Sequence, residues 1–325
     1  MMPEEILKDI YRIEVPLPRN PLKAINSYLI KGQERNLLID TGMNRQECSK
    51  ALTTALDTLK VDMTKTDLLI THLHADHIGL AFNLAFEDSN IYFNPLDAKI
   101  LGDNNFWNKN QQLASKNGFP KDLLEEAVKK HPGYKYTPEI SKEFTFIQED
   151  EVIEVGDYQL KCIETPGHTP GNICLYDDDK KILFSGDHVL WNITPNISAS
   201  IDPNGNPLKD YINSLDKVRD LEVELVLPAH RSLFYDLSKR VDQLKLHHQM
   251  REKEIEEILH DNKKLTAYQL ASLMSWEIKC NSWEDFPLVQ KWFATEEALA
   301  HLKYMEDKGT IGKKVTESII HYHLN

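Results

Sequence analysis

The sequence contains few cysteines, and their spacing excludes two kinds of structural support. Its 325 residues include four cysteines, Cys48, Cys162, Cys174 and Cys280, and none of them forms a Cys-x-x-Cys pair. This pattern excludes a cysteine zinc knuckle, and the wide spacing argues against a disulfide framework. We therefore expect four reduced thiols, as is typical of a cytoplasmic protein.

The sequence also lacks any long apolar run. No stretch approaches the roughly 18 consecutive apolar residues that a membrane-spanning helix needs. The first residues, Met-Met-Pro-Glu-Glu-Ile-Leu-Lys, do not combine a basic start with an apolar segment, as a secretion signal does. We expect a cytoplasmic protein that has no membrane partner.

Positive charge is scarce as well. The chain has 38 basic and 51 acidic residues, and its formal net charge is −13. Proteins that hold nucleic acids neutralise phosphates with lysine and arginine, so this balance makes nucleic acid an unlikely partner. This overall charge is still compatible with a basic groove on one part of the surface.

What the sequence does contain is a dense group of metal-binding side chains at residues 71–79, Thr-His-Leu-His-Ala-Asp-His-Ile-Gly. The four donors in this group are His72, His74, Asp76 and His77. The apolar run 66–70 predicts a buried strand before them, and the apolar pattern after them predicts a helix to about Glu87. The donors would therefore lie at a strand-to-helix turn.

These four donors are of the types that zinc, iron and manganese accept. In extended backbone His72 and His74 point the same way, whereas Asp76 and His77 follow the bend and can face back. The alternative is a polar loop whose histidines cap a helix. That arrangement would crowd ionisable groups without a metal to compensate for the cost.

Three more donors follow apolar strand patterns later in the chain. They are His168, Asp187 and His230. Seven donors are more than one metal needs, and they suit two metals about 3.5–4 Å apart that share a bridging carboxylate and a water. The sequence therefore predicts two divalent metal ions, with Zn²⁺ as the first choice and iron or manganese as alternatives.

The order of the motifs resembles that of the metallo-β-lactamase-fold superfamily. His-x-His-x-Asp-His, Thr-Pro-Gly-His-Thr, Ser-Gly-Asp and Pro-x-His occur in the family's order, and Asp40-Thr-Gly matches its first motif. The resemblance covers about residues 10–232. It implies an α/β (α+β) protein built as a four-layer αββα sandwich of two mixed sheets, with the site at one edge.

The resemblance also divides the seven donors into two sets and one shared ligand. The first set is His72, His74 and His168, the second is Asp76, His77 and His230, and the shared bridging ligand is Asp187. Asp40 is expected to orient ligands without binding a metal. The antibiotic-cleaving members use a cysteine ligand and lack the bridging aspartate, so this donor set resembles the glyoxalase II-like branch instead.

The chain is expected to divide into a catalytic domain, a connecting helix and a small terminal domain. The predicted boundaries are 1–232, 233–262 and 263–325. Within the first, residues 96–143 predict a helical insertion, which is either a lid over the site or a peripheral layer. The terminal segment predicts a winged-helix-like domain through its order of helix, helix and hairpin.

Residues 263–325 contain eight lysines, no arginine and eight acidic residues, so their net charge is zero. A winged helix that reads DNA is normally basic. We therefore expect this segment to serve in packing or dimerisation, which would allow a homodimer.

Two residues are candidate catalytic groups. Asp76, or a water that it holds, can pass a proton to the leaving group. His188 follows the bridging aspartate and is a candidate proton donor; the alternative is an outer-shell histidine that is hydrogen-bonded to backbone. His247, His248 and Arg251, on a helix predicted over 240–258, either meet an anionic substrate or form a solvated face.

Together these features predict a metal-dependent hydrolase. A hydroxide bound by two metals would cleave a small-molecule ester or thioester, with chemistry like that of glyoxalase II. Apolar side chains at Phe106, Trp107, Trp191 and Ile193 favour an acyl chain over RNA as the substrate. A lactonase or an endoribonuclease could use the same site, and a non-catalytic winged-helix DNA-binding regulator is the alternative from another class.

Overall fold

The structure is a computed structural model that describes residues 2–199, 202, 204–278 and 280–325. The strands are β1 (Glu4–Leu7), β2 (Ile10–Pro16), β3 (Ala24–Ile30), β4 (Asn36–Ile39), β5 (Thr66–Leu69), β6 (Ile91–Phe93), β7 (Thr145–Phe146), β8 (Val152–Val155), β9 (Tyr158–Glu164), β10 (Ile173–Asp177), β11 (Ile182–Gly186), β12 (Leu225–Pro228), β13 (Ile311–Thr316) and β14 (Ile319–Leu324). The helices are α1 (Gln46–Thr58), α2 (Ala75–Ile78), α3 (Ala81–Leu84), α4 (Pro95–Leu101), α5 (Phe106–Lys116), α6 (Lys121–Lys130), α7 (Pro132–Tyr136), α8 (Pro207–Arg219), α9 (Leu237–Asn262), α10 (Ala267–Leu273) and α11 (Leu288–Asp307).

The strands form two mixed sheets and a terminal hairpin. The first sheet has the order β1-β2-β3-β4-β5-β6-β7 and is antiparallel up to β4 and parallel from β4 to β7. The second has the order β12-β11-β10-β9-β8, in which only β11 and β12 run parallel. Strands β13 and β14 pair with each other.

The two sheets pack face to face between outer helical layers. Between them lies an apolar core that includes Ile30 and Leu69 of the first sheet and Phe184 of the second. Strands β4, β10 and β11 are buried along their whole length because both of their faces are covered. Helix α1 covers the outer face of the first sheet through Leu52, and α8 covers the second through Leu215. This order confirms the expected αββα sandwich.

The C-terminal elements share a core with the second sheet. Val226 of β12, Leu259 of α9 and Leu299 of α11 belong to one apolar cluster. Helix α11 also packs against the predicted insertion through Phe119 and Trp292. The order α10, α11, β13–β14 is the one the sequence predicted for a winged-helix-like segment. That assignment and the domain boundaries stay predictions.

The helix expected to run to about Glu87 is wrong, because the structure divides it into α2 and α3. The break follows Gly79, whose Cα lies close to the backbone of residues 42–44. A Cβ atom there would approach the backbone nitrogen of Asn44 to 2.5 Å and the carbonyl oxygen of Gly42 to 2.6 Å. Only glycine fits such an approach, and periodicity alone could not reveal it. None of the helices in the described ranges is long and apolar enough to cross a membrane.

Candidate metal centre

The structure brings all seven predicted donors together at one edge of the sandwich. His72 and His74 follow β5, Asp76 and His77 lie on α2, and His168, Asp187 and His230 follow β9, β11 and β12. The donor atoms form three groups, His72–His74–His168, His72–His77–Asp187 and Asp76–His77–His230, and within each group they lie within 4.8 Å of one another. Strand ends that meet at one edge therefore place these side chains around one small volume.

The first set has the spacing of ligands to a single metal. The Nε2 atom of His72 lies 3.0 Å from Nδ1 of His74 and 3.2 Å from Nε2 of His168. Nitrogens bound to one tetrahedral zinc at 2.0–2.1 Å would lie roughly 3.3 Å apart. Burial lowers the pKa of all three histidines, so their rings are neutral and their lone pairs are available.

The second set leaves buried nitrogens that have no protein partner. The Nε2 atom of His230 lies 3.5 Å from an oxygen of Asp76. The Nε2 atoms of His77 and His230 are buried, and neither has a hydrogen-bond partner among the described residues. Since buried polar atoms are nearly always paired, these atoms fit a metal ion better than an empty site.

Asp187 lies between the two sets. Its Oδ2 atom is 3.5 Å from Nε2 of His168, in the first set. Its Oδ1 atom is 3.6 Å from Nε2 of His77 and 3.5 Å from Nε2 of His230, in the second. Burial opposes ionisation, but the attraction of His230 and His77 outweighs it and lowers the pKa of Asp187. An ionised carboxylate with one oxygen towards each set is the arrangement a bridging ligand requires.

Outer contacts fix how three of the histidine rings are oriented. The Nδ1 atom of His77 donates to Asp40, that of His168 to the carbonyl of Asn196, and that of His230 to the carbonyl of Ala24, each at 2.8 Å. A ring that donates through Nδ1 presents a free lone pair at Nε2. These contacts therefore aim all three Nε2 atoms at the cluster.

The position of Asp40 suits the orienting role that the sequence predicted. The backbone of Asp40 has a positive φ of 57°, which aspartate and asparagine tolerate better than most residues. One carboxylate oxygen accepts from the backbone nitrogen of Thr71 at 2.9 Å, and the other accepts from the Thr71 hydroxyl at 2.9 Å. Burial lowers the pKa of His77, but the attraction of Asp40 and Asp187 outweighs it and raises that pKa well above 6.5, so a cation that binds at Nε2 would displace a proton there.

Asp97 is a residue of the site that the sequence interpretation missed. It was placed in the helical insertion, whereas the structure buries it completely between two ligand loops. Its carboxylate accepts from the backbone nitrogen of Leu73 at 2.8 Å, the hydroxyl of Thr169 at 2.7 Å and the backbone nitrogen of Gly171 at 2.7 Å. Burial raises the pKa of Asp97 to about 6. Its sequence, Asn-Pro-Leu-Asp, is that of an ordinary helix start and gave no signal.

His188 lies outside the cluster. Its ring packs against Tyr211 of α8, with 5.3 Å between the ring centroids, and it belongs to none of the three groups of donors. Burial lowers the pKa of His188 to about 3. A ring that is neutral at neutral pH and packed on another helix does not suit the predicted proton donor, so we leave it out of the proposed reaction.

The helix predicted over 240–258 is part of α9, and two of its three candidate residues are buried. His248 and Arg251 are 1% and 7% exposed. His248 contacts His301 of α11, with 3.1 Å between Nδ1 and Nε2, and Arg251 stacks on Trp276 at 4.3 Å. The solvated alternative is wrong for these two because α10 and α11 cover this side of α9.

Two of the apolar side chains that were predicted to line the substrate site, Trp107 and Trp191, lie in different surroundings. Trp107 packs in the cluster between the insertion and α11, where it contacts His131. Trp191 is 39% exposed and stacks on Phe234, four residues beyond His230 in sequence. Of these two tryptophans, Trp191 is therefore the one whose exposed apolar surface contacts the segment that follows the candidate ligand His230.

Comparison with known proteins agrees with this geometry. The profile of the family described as the metallo-beta-lactamase superfamily matches residues 21–230. The chain belongs to this superfamily. Its relatives also carry hydrolase names, and the chain is a hydrolase of the superfamily.

Two curated relatives and one solved structure illustrate the similarity. The human acyl-coenzyme A thioesterase MBLAC2 is 28% identical over 227 residues, which cover 64% of this chain and 74% of that protein. The probable metallo-hydrolase YqjP of Bacillus subtilis is 26% identical over 275 residues, covering 81% and 84%. A metallo-beta-lactamase family protein of Thermus thermophilus is 26% identical with a TM-score of 0.83, covering 99% and 100% of the two chains.

Proposed function

We propose that this protein hydrolyses acyl thioesters, including those of coenzyme A, with two divalent cations held by the seven donors. The observation that carries the proposal is Asp187, whose two oxygens face different sets of histidines. The similarity to a thioesterase of the same superfamily supports the choice of a thioester.

Each residue of the cluster has a separate task in this reaction. Bound cations would supply an ionised water at neutral pH and polarise the carbonyl oxygen of the substrate. Asp187 holds the two sets together, and Asp40 keeps the lone pair of His77 directed inward. Burial opposes ionisation of Asp76, but His230 and His77 outweigh it and lower its pKa to about 2. Asp76 is therefore ionised and can accept the proton of the attacking water.

The two carboxylates of the cluster are poor proton donors, and this favours a thioester over an amide. Among the described residues, the carboxylates of the cluster are Asp76 and Asp187, and the pKa of each is lowered. A thiol has an ordinary pKa of about 8.5, so its thiolate leaves without full protonation. The site therefore has the groups that thioester cleavage requires without a dedicated proton donor.

The donor types of the two sets suggest which metals the site takes. Three neutral imidazoles suit zinc, whereas the second set includes the carboxylate of Asp76, which iron and manganese also accept. We propose zinc at the first set, and zinc, iron or manganese at the second.

The deciding experiment compares acyl thioesters, lactones and single-stranded RNA in one assay of the wild type and Asp76→Asn. We expect thioesters to react fastest, and Asp76→Asn to lower that rate by on the order of 100-fold, as loss of a proton acceptor does. RNA cleavage that requires metal and outpaces every thioester would overturn the proposal in favour of an endoribonuclease. Faster lactone turnover would favour a lactonase.

A further inference from the structure

Arg251 of α9 is buried but uses only part of its hydrogen-bonding capacity. Its Nη1 atom donates to Glu254 and to the carbonyl of Ser275, both at 2.6 Å. Its Nε and Nη2 atoms are buried without a hydrogen-bond partner among the residues that the structure describes. Leaving charged donors buried and unpaired is costly, so this pair of donors points to a ligand.

A second arginine on the same helix shows the contrast. Arg240 donates from Nε to the carbonyl of Leu190 at 2.6 Å, from Nη2 to that of Ile193 at 2.7 Å and from Nη1 to Gln243 at 3.2 Å. Each of its three nitrogens has a partner, and the residue anchors the loop before Asn196. In Arg251, by contrast, the free Nε and Nη2 atoms form the fork that binds carboxylate or phosphate in two parallel hydrogen bonds.

The side chains around Arg251 leave the Nε and Nη2 atoms without an acceptor among the described residues. His248 contacts His301, whose Nδ1 donates to the main-chain carbonyl of Glu297 at 2.9 Å. Burial, and then the charge of Arg251, lowers the pKa of His247, while burial raises the pKa of the Glu297 carboxyl. Glu254 pairs with the Nη1 atom of Arg251 alone, so the edge formed by Nε and Nη2 faces no acceptor among the described residues.

The group of side chains around Arg251 adjoins the proposed metal centre through one residue. The side-chain amide of Asn196 donates to Glu297 at 2.9 Å, and the main-chain carbonyl of Asn196 accepts from the ligand His168 at 2.8 Å. Helix α11 thus reaches the ligand shell through Asn196. A substrate that extends away from the cluster along this residue would meet α9 and α11.

We propose that Arg251 binds an oxyanion of the substrate, either a carboxylate or a phosphate, in a subsite between α9 and α11. His247 and Glu297, which are only partly buried, form its rim. The proposal rests on the proposed thioesterase function, and it assigns that enzyme an anionic substrate. The anion lies either on the acyl group or on the thiol, as the phosphates of coenzyme A do.

The first test measures binding without catalysis. The melting temperature of the purified protein is followed with increasing inorganic phosphate or glutarate at constant ionic strength, for the wild type, Arg251→Gln and Arg251→Lys. A saturable increase is expected for the wild type with one of these anions, a smaller one for Arg251→Lys and none for Arg251→Gln. The exposed Arg219, which pairs with Asp242, supplies a matched control, and Arg219→Gln should behave as the wild type does. The absence of any increase in the wild type, or the same increase in Arg251→Gln, would overturn the proposal.

The second test locates the anion with four thioesters. Butyryl and glutaryl groups are each joined to coenzyme A and to neutral N-acetylcysteamine. For each protein, kcat/KM for the preferred anionic substrate is divided by kcat/KM for butyryl-N-acetylcysteamine. In Arg251→Gln this ratio should fall about 10- to 100-fold, because the variant loses a charge-assisted pair of hydrogen bonds to the anion. A fall for glutaryl substrates places the anion on the acyl group, and a fall for coenzyme A substrates places it on the thiol.

The two tests separate failure of the subsite from failure of the proposed function. A ratio that does not change in Arg251→Gln would refute the subsite even if thioesters are hydrolysed. If the wild type hydrolyses none of the four substrates, the thioesterase proposal fails, and the melting measurement still decides whether Arg251 binds an oxyanion. If Arg251→Gln does not fold, Arg251→Lys decides, because it keeps the charge but lacks the fork, and its ratio should also fall.

Discussion

Two buried groups of histidines lie on either side of Asn196, and they differ in what balances their charge. In the metal centre the ring nitrogens face the carboxylates of Asp76 and Asp187. In the group between α9 and α11 the histidines contact one another and the backbone, and the guanidinium of Arg251 keeps two unused donors. The first arrangement attracts cations, whereas the second attracts an anion.

This difference shows that a buried histidine does not by itself indicate a metal site. Orientation and neighbouring charge decide its role. His77 and His248 are both buried, yet contacts with Asp40 and Asp187 raise the pKa of His77, while burial and neighbouring positive groups lower that of His248. Counting histidines in the sequence could not separate these two environments.

The largest effect is expected from a substitution that removes the carboxylate between the two sets of metal ligands. Asp187→Asn should lower thioesterase activity by on the order of 10³-fold or more, because several kcal/mol of transition-state stabilisation depends on the cations. Elemental analysis should show fewer metal ions per chain than in the wild type. An Asp187→Asn protein with full activity and full metal content would contradict the bridging role.

A smaller effect is expected when the orientation of His77 is disturbed. Asp40→Asn keeps a residue that tolerates positive φ but removes the carboxyl oxygen that accepts the hydrogen bond from His77. Metal affinity at the second set should fall about 10- to 100-fold, as is usual when such an outer contact is lost. Titration of metal-free protein would measure this, and the first set should be affected less. Unchanged affinity at both sets would show that Asp40 serves only the fold.

A further prediction concerns Asp97, which joins the two ligand loops. Burial raises its pKa from 3.8 to about 6. Between these values the folded chain holds a proton that the unfolded chain has released, so stability falls as the pH rises. The free energy of unfolding of the wild type, relative to Asp97→Asn, should fall by roughly 2 kcal/mol between about pH 4 and 7. The same substitution at the exposed Asp122 is the matched control.

The smallest effect is expected at His188. His188→Phe keeps an aromatic ring against Tyr211 and removes a buried imidazole, so activity should stay within about threefold of the wild type, far less than loss of a general acid costs. A loss of about 100-fold with an unchanged melting temperature would instead support the proton donor that the sequence predicted.

The sequence was sufficient to predict the two sheets and the proximity of the seven candidate donors because both depend on local patterns. His72 to His77 follow a strand within six residues, and buried strands have clear apolar runs. Asp97 and Arg251 could not be recognised in the same way. Their burial depends on loops and helices that are distant in sequence, such as the contact of Asp97 with Gly171 and the covering of α9 by α11.

The most direct test of the account is reconstitution of thioesterase activity with metal. Purified protein is treated with a chelator, assayed with an acyl thioester and then titrated with zinc while bound metal is counted. The account predicts that activity disappears on chelation and returns as close to two zinc ions bind per chain. A metal-free protein that hydrolyses the thioester at the full rate would contradict it.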